Sequence, residues 1–555
     1  MTESPPFTPN LPPDYYLNNF RFLVDWVKDR YADLLSDDEQ KFVQGFYLLG
    51  HDAQCLLVRL SSRKGPLFRR DKLDYSEIKN LDDAAQELIS AGLLHRHFPL
   101  PLDVFVSSLT KVELLLLFRE QLTGLRQARK EILVEHLQHQ FTEARDWQSW
   151  TENQLGEAFY LDNQRIINNL LLLFFGNSYQ NLTEFVLQDL GLYRYENYPI
   201  DHQHRLFNSR DEIDQYWSLI QLREQLDVVT SIDALIELAT KLPAAYASKK
   251  IQRRRAKLIN QIAYALERVG EYQIAMQLYE QSHLTPARER RIRLLEKQEN
   301  FSAAWTLLNE LIANPQNEHE LQISQRIAPR IAKKLSLDFH KKKFSPVNEQ
   351  HQMFTPLVNE LNEPLRVEEV VRLFLNNENA PCVYTENTLL TGLFGLWLWP
   401  ETFRGVEGAF ANPFQAAPLD MHQENFTANR PGIAALWQLI DNETYPTHIK
   451  KIWTEKFGTT NYLVNWSFLS EELLELALHC IPAQHLKVIF ERLLFDIKNN
   501  CSGLPDLIQF YPAQKSYRMI EVKGPGDRIQ DNQARWLDYF MQHGIPAEVW
   551  YVRWK

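Results

Sequence analysis

The pattern of apolar and polar positions changes character at about Gln350. Upstream, from Tyr15 onwards, apolar residues recur at helical spacing and predict a succession of helices joined by polar loops. Within this part, the apolar run Leu56–Leu60 predicts a short strand before a basic turn. The runs Leu170–Phe175 and Leu389–Trp399 fall far short of the ~20 apolar residues that span a bilayer. We therefore expect buried helices at both places and no membrane segment.

A degenerate repeat occurs in the middle of the chain. The stretches ALERVGEYQIAMQLYEQSHLTP and LLEKQENFSAAWTLLNELIANP place a small residue, a large apolar residue and a proline at matching positions. These positions are Ala275 and Ala304, Tyr279 and Leu308, and Pro286 and Pro315. A small alanine lets paired helices approach closely, and the large side chain fills the space beside it. The pattern predicts a solenoid of tetratricopeptide-like (TPR-like) helix pairs, which alone would suggest a partner-binding scaffold.

Strand patterns come last in the chain. Short apolar runs predict strands at Pro505–Tyr511, Tyr517–Lys523 and Ala547–Arg553. A helix is predicted from about Arg528 to His543, with Gly544 as its C-terminal cap. The sequence thus predicts a multidomain, mostly α-helical protein that ends in an α/β domain. We place its boundaries at 1–141 for a helical N-terminal region, 142–345 for the repeat region and 346–555 for the α/β domain.

Composition agrees with a globular protein of several domains. The 555 residues are 45% hydrophobic and 24% charged. The four cysteines form no CxxC pair, which argues against a disulfide framework or a cysteine-rich zinc site and favours a reducing, cytoplasmic compartment. The N-terminus lacks the basic and apolar regions of a secretory signal.

Positive charge is concentrated in short runs, although the formal net charge is −11. Basic residues crowd the segment after Leu60, with Arg63, Lys64, Arg69 and Arg70. The run KKIQRRRAK contributes Lys249, Lys250, Arg253, Arg254 and Arg255, and RERRIRLLEK contributes Arg288, Arg290 and Arg291; a third run, RIAKKLSLDFHKKK, includes Lys341–Lys343. A single run is usually a solvated helix face. Three runs on adjacent helices predict a basic, phosphate-binding surface within an acidic protein.

Two carboxylates and a lysine lie on the predicted strands. Glu521 and Lys523 share one face of the second strand because side chains alternate along a strand. Asp506 opens the preceding strand, and a hairpin through Pro512 would bring it toward Glu521. Two carboxylates at such a short distance repel each other unless a cation lies between them. Carboxylate oxygens are ligands that suit Mg²⁺ or Mn²⁺. With the lysine, this set of groups favours metal-assisted hydrolysis of a phosphodiester.

The spacing is that of a PD-x₁₄-ExK pattern. It comprises Pro505-Asp506 and Glu521-Val522-Lys523. Because Asp, Glu and Lys are common residues, an ordinary Glu/Lys ladder on a surface hairpin is the alternative that the spacing leaves open.

The sequence segments around this pattern resemble those of a known family. GLPDL, EVKGPGDRIQDNQ and WLDYF resemble the VRR-NUC type of PD-(D/E)xK nuclease domain. Upstream, YTENTLLTGLFGLWLWPETF, FQAAPLD and YLVNW resemble the Fanconi-associated nucleases, as does LLVRLSSRKGPLFRRDKLDYSEI near the N-terminus. The resemblance extends over nearly the whole chain, which looks like a bacterial-type member.

The resemblance implies roles for particular residues. Asp506, Glu521 and the Val522 carbonyl would bind Mg²⁺ or Mn²⁺, with Glu386 of YTENT as a further ligand. Lys523 would be the catalytic lysine, and Gln533 would support the site. From the sequence alone, Glu386 is simply an acid near a helix N-terminus, and Gln533 is a helix residue that faces solvent.

The resemblance also implies a substrate. Members cut branched DNA at 5′ flaps and act as 5′→3′ exonucleases during the unhooking of interstrand crosslinks. SAP-like helices around Leu109–Leu122 would hold the duplex, and a basic pocket, for which Arg253–Arg255 and Arg288–Arg293 are candidates by charge, would hold the 5′ phosphate. The scattered cysteines leave no room for the ubiquitin-binding finger of the vertebrate form. The implied location is the bacterial cytoplasm, in association with the nucleoid.

Two other classes of function remain open at the level of sequence. One is a helical-repeat protein that binds DNA or partners and carries an inactive nuclease fold. The other is a restriction-type or RNA-directed nuclease. The presence of every motif residue favours an active enzyme over the first alternative.

Overall fold

Two compact units make up the molecule. The computed structural model describes residues 12–63, 65–180, 193–339, 347–424 and 426–555. Unit 1 is formed by Met1–Tyr193 with Ile200–Leu206, and unit 2 by Arg194–Pro199 with Phe207–Lys555. Lys64 and Lys341–Lys343 of the predicted basic runs lie outside the described residues.

Unit 1 is mostly helical, with one small antiparallel ribbon. Its helices are α1 (Tyr15–Tyr31), α2 (Asp37–Leu48), α3 (His51–Ser61), α4 (Leu81–Ser90), α5 (Leu102–Ser107), α6 (Lys111–Leu117), α7 (Lys130–Gln138), α8 (Trp147–Thr151) and α9 (Gln164–Phe175). The ribbon pairs β1 (Leu67–Arg69) with β2 (Ala158–Tyr160). The predicted buried helix over Leu170–Phe175 is confirmed by α9.

The predicted strand at Leu56–Leu60 is wrong, because these residues lie inside α3. All of them except Arg59 are buried, so the segment is an inner helix of unit 1. A short apolar run buried on most sides looks the same in sequence whether it is a strand or a helix.

The segment that resembles a SAP module folds around its own small core. Phe105, Trp147 and Trp150 are buried there, with Phe105 stacked on Trp150 at 5.2 Å between ring centroids. Helix α6 begins with a capping box in which Thr110 and Glu113 exchange side chain-to-backbone hydrogen bonds. The helix ends at Leu117, earlier than the apolar pattern suggested.

Unit 2 carries the repeats and the sheet. Its helices are α10 (Arg210–Val228), α11 (Ile232–Thr240), α12 (Lys249–Val269), α13 (Tyr272–Glu280), α14 (Ala287–Lys297), α15 (Phe301–Ala313), α16 (Glu318–Lys334), α17 (Val367–Leu375), α18 (Leu389–Thr402), α19 (Ile433–Asp441), α20 (Tyr445–Lys456), α21 (Glu471–Cys480), α22 (Ala483–Phe495), α23 (Ile497–Asn500) and α24 (Asp531–Gln542). Its strands are β3 (Asn348–Phe354), β4 (Cys382–Tyr384), β5 (Leu507–Tyr511), β6 (Ser516–Lys523) and β7 (Ala547–Trp554).

The repeat positions found in the sequence lie between packed helices. Ala275 and Tyr279 of α13 are fully buried, as are Ala304 and Leu308 of α15. Gly270 ends α12 in the left-handed conformation (φ 95°), which a glycine adopts without strain. The helix-pair architecture predicted for this region is confirmed.

The five strands form one mixed sheet in the order β3-β7-β6-β5-β4. Strand β6 pairs antiparallel with β5 through the predicted hairpin, and parallel with β7 on its other side. Helix α17 covers one face, where Val370 and Val371 pack against Leu507, Ile520 and Val522. Edge strands β3 and β4 come from upstream of the three predicted strands.

Among the described residues, no single helix is long and apolar enough to cross a membrane. Helices α21 and α22 reach such a length together, but they are bent by 109° at the break between them. The apolar helix α18 is buried along nearly its whole length.

Candidate active site

The middle of the sheet brings Asp506, Glu521 and Lys523 together. Leu507 pairs with Ile520 in the β5–β6 ladder, so Asp506 lies opposite Glu521 at the end of the hairpin. The Val522 N–H donates a hydrogen bond of 2.8 Å to Asp506 Oδ2 and fixes that carboxylate across the ladder. The sequence prediction that the hairpin joins these carboxylates therefore agrees with the geometry.

Glu521 is an acid buried without the hydrogen bonds that an acid needs. Its side chain is 1% exposed, and Lys523 Nζ lies 2.7 Å from Oε1. That approach is not aligned as a hydrogen bond, and within the described chain neither Glu521 oxygen accepts one. A buried polar atom without a partner is costly and rare in native proteins. Glu521 thus offers two oxygens that accept no hydrogen bond, one of them in an ion pair with Lys523, to a site that suits a cation.

The electrostatics agree with this interpretation. Burial raises the pKa of Asp506 and of Glu521 above the usual carboxyl range, and the nearby Asp506 carboxylate raises the pKa of Glu521 further. The Lys523 ammonium opposes both shifts without cancelling them. A divalent cation would relieve the repulsion and hold both groups ionised.

Lys523 is held by the helix that follows the motif. Its Nζ donates a hydrogen bond of 2.9 Å to Gln533 Oε1. The same Gln533 oxygen accepts from the backbone N–H of Gln530 at 2.9 Å, within the capping box that starts α24. In the structure, Gln533 therefore faces Lys523. From the sequence alone, we interpreted Gln533 as a helix residue that faces solvent.

Glu386 reaches the site through backbone hydrogen bonds. The N–H groups of Thr385 and Glu386 donate to the Asp506 carbonyl at 2.7 and 3.3 Å, and Leu504 N–H donates to Asn387 Oδ1 at 3.0 Å. Glu386 is exposed and precedes α18, which begins at Leu389. It is therefore a residue of the β4–α18 connection, not the helix-terminal acid that the sequence suggested.

One acidic residue near the site, Glu368, could not be recognised as a site residue from the sequence. Glu368, in the first turn of α17, and Glu386 both act by charge to raise the pKa of Asp506. The helix turn lies against the end of β6, since a Cβ on Gly524 would be 3.3 Å from Val367 Cγ2. No motif spacing marks Glu368, because the approach is made by a helix far upstream in the chain.

The donors fit a divalent metal ion. Asp506, Glu521 and Glu386 offer carboxylate oxygens and Val522 a backbone carbonyl, the ligand types that Mg²⁺ and Mn²⁺ take. Among the described residues, no group of three or more His, Cys, Asp or Glu side chains is already arranged to hold a metal ion. The fit therefore rests on the two buried oxygens of Glu521, which accept no hydrogen bond.

Comparison with known proteins identifies the family. A family model for the VRR-NUC domain matches residues 440–554, one for the FAN1 HTH domain matches 14–95, and one for the Fanconi anemia-associated nuclease SAP domain matches 99–150. The Fanconi-associated nuclease 1 homolog of Pseudomonas aeruginosa is 41% identical over 99% of this chain and 97% of its own length. The chain belongs to the Fanconi-associated nuclease family.

A vertebrate relative and two solved structures also match the chain over nearly its whole length. Human Fanconi-associated nuclease 1 is 23% identical over 97% of this chain, which spans 62% of the human protein. A solved structure described as paFAN1 bound to 2nt 5′ flap DNA with gap superposes with a TM-score of 0.83, at 40% identity over 99% of this chain and all of that one. A second, with a 1nt 5′ flap, gives 0.82. By family and fold, this Fanconi-associated nuclease is thus a nuclease.

Most of the predicted DNA-binding residues are engaged in ion pairs within the nuclease. Carboxylates lie within 3.5 Å of the following cationic groups, in each case from a different part of the chain: Arg70 with Asp82, Lys250 with Glu407, Arg253 with Glu424, Arg288 with Glu320, Arg290 with Glu267, and Arg291 with Glu280. The run Lys249–Lys257 contains no acid in sequence, but the fold supplies acids from neighbouring segments.

Two of the predicted arginines do not contribute to an exposed surface. Arg69 is 8% exposed and pairs with Asp71 and Glu113. Arg255 is 5% exposed and donates to the Pro243 carbonyl and to Gln281. Both have structural roles, since a buried guanidinium needs acceptors inside the protein.

The remaining candidates lie nearer the surface. Arg63 and Lys249 are exposed, with the Arg63 guanidinium 5.5 Å from the Tyr75 ring centroid. Arg254 stacks over Tyr216, 3.8 Å from the ring centroid.

One cluster keeps an excess of positive charge. Lys257, the last residue of the basic run KKIQRRRAK, remains solvent-accessible, but surrounding groups enclose it partly and lower its pKa. Positive charges of Arg253, Arg254 and Lys498 lower it further, and Glu424 opposes them. The charges that act most strongly on Lys257 are three cations and one acid, Glu424, which pairs with Arg253 at 2.5 Å, so an anion beside Lys257 would be stabilised. We call Arg253, Arg254, Lys257 and Lys498 the cationic cluster.

Proposed function

We propose that the chain is a divalent-metal-dependent nuclease that cuts the DNA backbone at 5′ flaps and degrades DNA in the 5′→3′ direction. The observation that carries the metal site is the buried Glu521, whose two oxygens lack hydrogen bonds beside Asp506 and Lys523. The likeness to structures described as bound to 5′ flap DNA supports the substrate.

Asp506, Glu521, Glu386 and the Val522 carbonyl would hold Mg²⁺ or Mn²⁺. When bound, such an ion supplies Lewis-acid stabilisation of the phosphate charge and lowers the pKa of bound water. Burial serves this function, because fixed charges act more strongly where water is excluded. The hydrogen bond from Val522 N–H keeps Asp506 Oδ2 in place, so the carboxylate needs little reorganisation when substrate arrives.

Lys523 would act on the attacking water or on the negative charge that develops on the phosphate. Its ammonium is bounded by Glu521 on one side and by the Gln533 amide oxygen on the other. The hydrogen bond to Gln533 uses one ammonium proton, and the remaining protons can donate toward the reacting groups. Gln533 would thus act through Lys523, as a positioning residue.

The cationic cluster would bind a phosphate group of the flap. Lys257 and Lys498 are both exposed, and the charges that act on Lys257 are mostly positive. The 5′-terminal phosphate is our preferred occupant, because a dianion gains most from several cations. The SAP-like and HTH regions of unit 1, including Arg63 and Arg70, would hold duplex DNA.

The repair of interstrand crosslinks is the process in which such cuts would serve. Because the substrate is chromosomal DNA, we propose the bacterial cytoplasm and its nucleoid as the place of action.

A cleavage panel with a metal titration tests this function. Purified protein is given a 5′ flap, a 3′ flap, a blunt duplex and an RNA duplex, each with Mg²⁺, Mn²⁺ or EDTA. We expect metal-dependent cutting of the 5′ flap above the other three. Asp506→Ala should abolish cutting and keep flap binding in EDTA, whereas the control Asp538→Ala, a half-buried aspartate of α24, should cut normally.

The outcomes separate the alternatives. No cutting by the wild-type protein with either metal would leave a DNA-binding protein with an inactive nuclease fold. Equal cutting of all four substrates would contradict structure selectivity, and preferential cutting of blunt duplex or of RNA would favour a restriction-type or RNA-directed nuclease.

A further inference from the structure

Tyr384 is the residue that contacts the exposed ligand candidate Glu386. Its hydroxyl donates a hydrogen bond to Glu386 Oε2. Among the described residues, the Glu386 carboxylate shows no other hydrogen-bond partner, in contrast to Asp506, which accepts from Val522 N–H. An exposed carboxylate on a connecting loop otherwise samples several rotamers.

Tyr384 itself is rigidly placed. It ends β4 and pairs with Leu507 of β5, the residue directly after Asp506. Its ring packs against the core that includes Leu507, Val522 and Val371. A phenol titrates near pH ~10 in water, so its hydroxyl is a donor at neutral pH. Tyr384 therefore carries a hydrogen-bond donor from the sheet core to the edge of the site.

We propose that Tyr384 is a positioning residue of the metal site, whose hydroxyl holds the Glu386 carboxylate beside Asp506 and Glu521. This inference rests on the proposed role of these three acids as metal ligands. The backbone bonds from Thr385 and Glu386 to the Asp506 carbonyl place the Glu386 main chain, and Tyr384 fixes the remaining freedom of its side chain. Groups that orient a metal ligand raise metal affinity without touching the metal.

Removal of the hydroxyl tests the proposal. Tyr384→Phe keeps the ring in the core and loses the donor. We expect about tenfold weaker Mn²⁺ binding by titration calorimetry. The Mn²⁺ midpoint of flap cleavage should move to higher concentration in parallel, with kcat at saturating metal close to that of wild type. Tyr511→Phe is the matched control, since Tyr511 ends the neighbouring strand and donates to Gln509, away from the acids.

A double-mutant cycle separates positioning from a structural effect. In a Glu386→Ala background, Tyr384→Phe should weaken Mn²⁺ binding no further, because the group it orients is gone. Equal Mn²⁺ affinity of Tyr384→Phe and wild type would overturn the proposal, as would a loss that persists undiminished in the Glu386→Ala background. If wild-type protein binds no Mn²⁺ at all, the proposed metal site fails as well, so the two failures are distinguishable.

Discussion

At the scale of single residues, the site depends on acids placed where they are unfavourable in the absence of a cation. Glu521 is buried, close to Asp506 and to Lys523, and its oxygens accept no hydrogen bond in the described structure. Such an arrangement costs stability in the metal-free protein and is compensated when a cation binds. The consequence is a stability that depends on pH and on metal together.

Replacement of Glu521 by glutamine should stabilise the metal-free protein. An unfolded glutamate titrates near pH ~4.3, whereas burial and the Asp506 charge raise the folded pKa of Glu521. As pH rises through this window, the unfolded chain releases its proton first, so wild type loses stability. We expect Glu521→Gln to raise the free energy of unfolding at pH 7.5 in EDTA by roughly 1–3 kcal/mol.

The check is thermal unfolding in EDTA across pH. The difference between Glu521→Gln and wild type should close near pH ~4, where both states of the wild-type protein hold the proton. Added Mn²⁺ should stabilise wild type and not the variant. A variant that is less stable than wild type at pH 7.5 would contradict the account.

Gln533 offers a second prediction at this scale. Gln533→Ala removes the acceptor that holds Lys523 Nζ and should lower kcat roughly tenfold, with flap affinity unchanged. Gln542→Ala, at the far end of the same helix, serves as the control. Single-turnover cleavage and fluorescence anisotropy measure the two quantities. If kcat is unchanged, Lys523 does not need Gln533 for its orientation.

At the scale of elements, helix α24 is set against the segment that leads into Asp506. Gly503 has φ +87°, and a Cβ there would lie 2.8 Å from the backbone carbon of Asn532. This close approach brings the first turn of α24, with Gln533, to the site. Gly544, just beyond the end of α24, also has positive φ (+67°), but a Cβ there would meet nothing within 4 Å.

The two glycines make a matched pair for measuring what that approach contributes. Both Gly503→Ala and Gly544→Ala carry the backbone strain of a positive φ, roughly 1–2 kcal/mol. Only Gly503→Ala adds the clash with Asn532, so we expect a larger loss of stability and a fall in kcat from displacement of Gln533. Denaturant unfolding and cleavage assays measure both. Equal effects of the two substitutions would show that Asn532 adjusts to the added Cβ without a further loss of stability or kcat.

At the scale of the whole molecule, charge is distributed in a way that the net value conceals. The formal charge is −11, yet Arg253, Arg254, Lys257 and Lys498 converge around Lys257 with Glu424 as the opposing acid. Other arginines of the repeats, including Arg288, Arg290 and Arg291, are paired with carboxylates from neighbouring helices. Anion binding would therefore be confined to a few places on the surface.

Charge reversal in the cationic cluster tests this distribution. We expect the pair Lys257→Glu and Lys498→Glu to weaken flap binding and to reduce the slope of log K against log salt by about 1–2. The loss should be larger for a flap with a 5′ phosphate than for one with a 5′ hydroxyl. Lys450→Glu together with Lys451→Glu, two lysines of α20 whose side chains are 44% and 67% exposed, is the charge-matched control. An unchanged slope for both DNAs would mean that the cationic cluster makes no contact with DNA phosphates.

Much of the architecture follows from the sequence because local patterns encode it. Helical spacing predicted the repeats, the apolar runs predicted the hairpin, and strand alternation put Glu521 and Lys523 on one face. The strand predicted at Leu56–Leu60 is the instructive error, since a short run that is buried on most sides carries no period.

Contacts between distant segments could be decided only by the tertiary structure. The sequence by itself determined the helical repeats, the α/β end of the chain and the acid–acid–lysine motif, because each depends on neighbours along the chain. The tertiary structure decided that Glu386 and Glu368 approach Asp506, that Gln533 holds Lys523, and that Arg255 is buried. Hydrogen bonds and charges act through space, and residues brought together by packing leave no regular spacing in the chain.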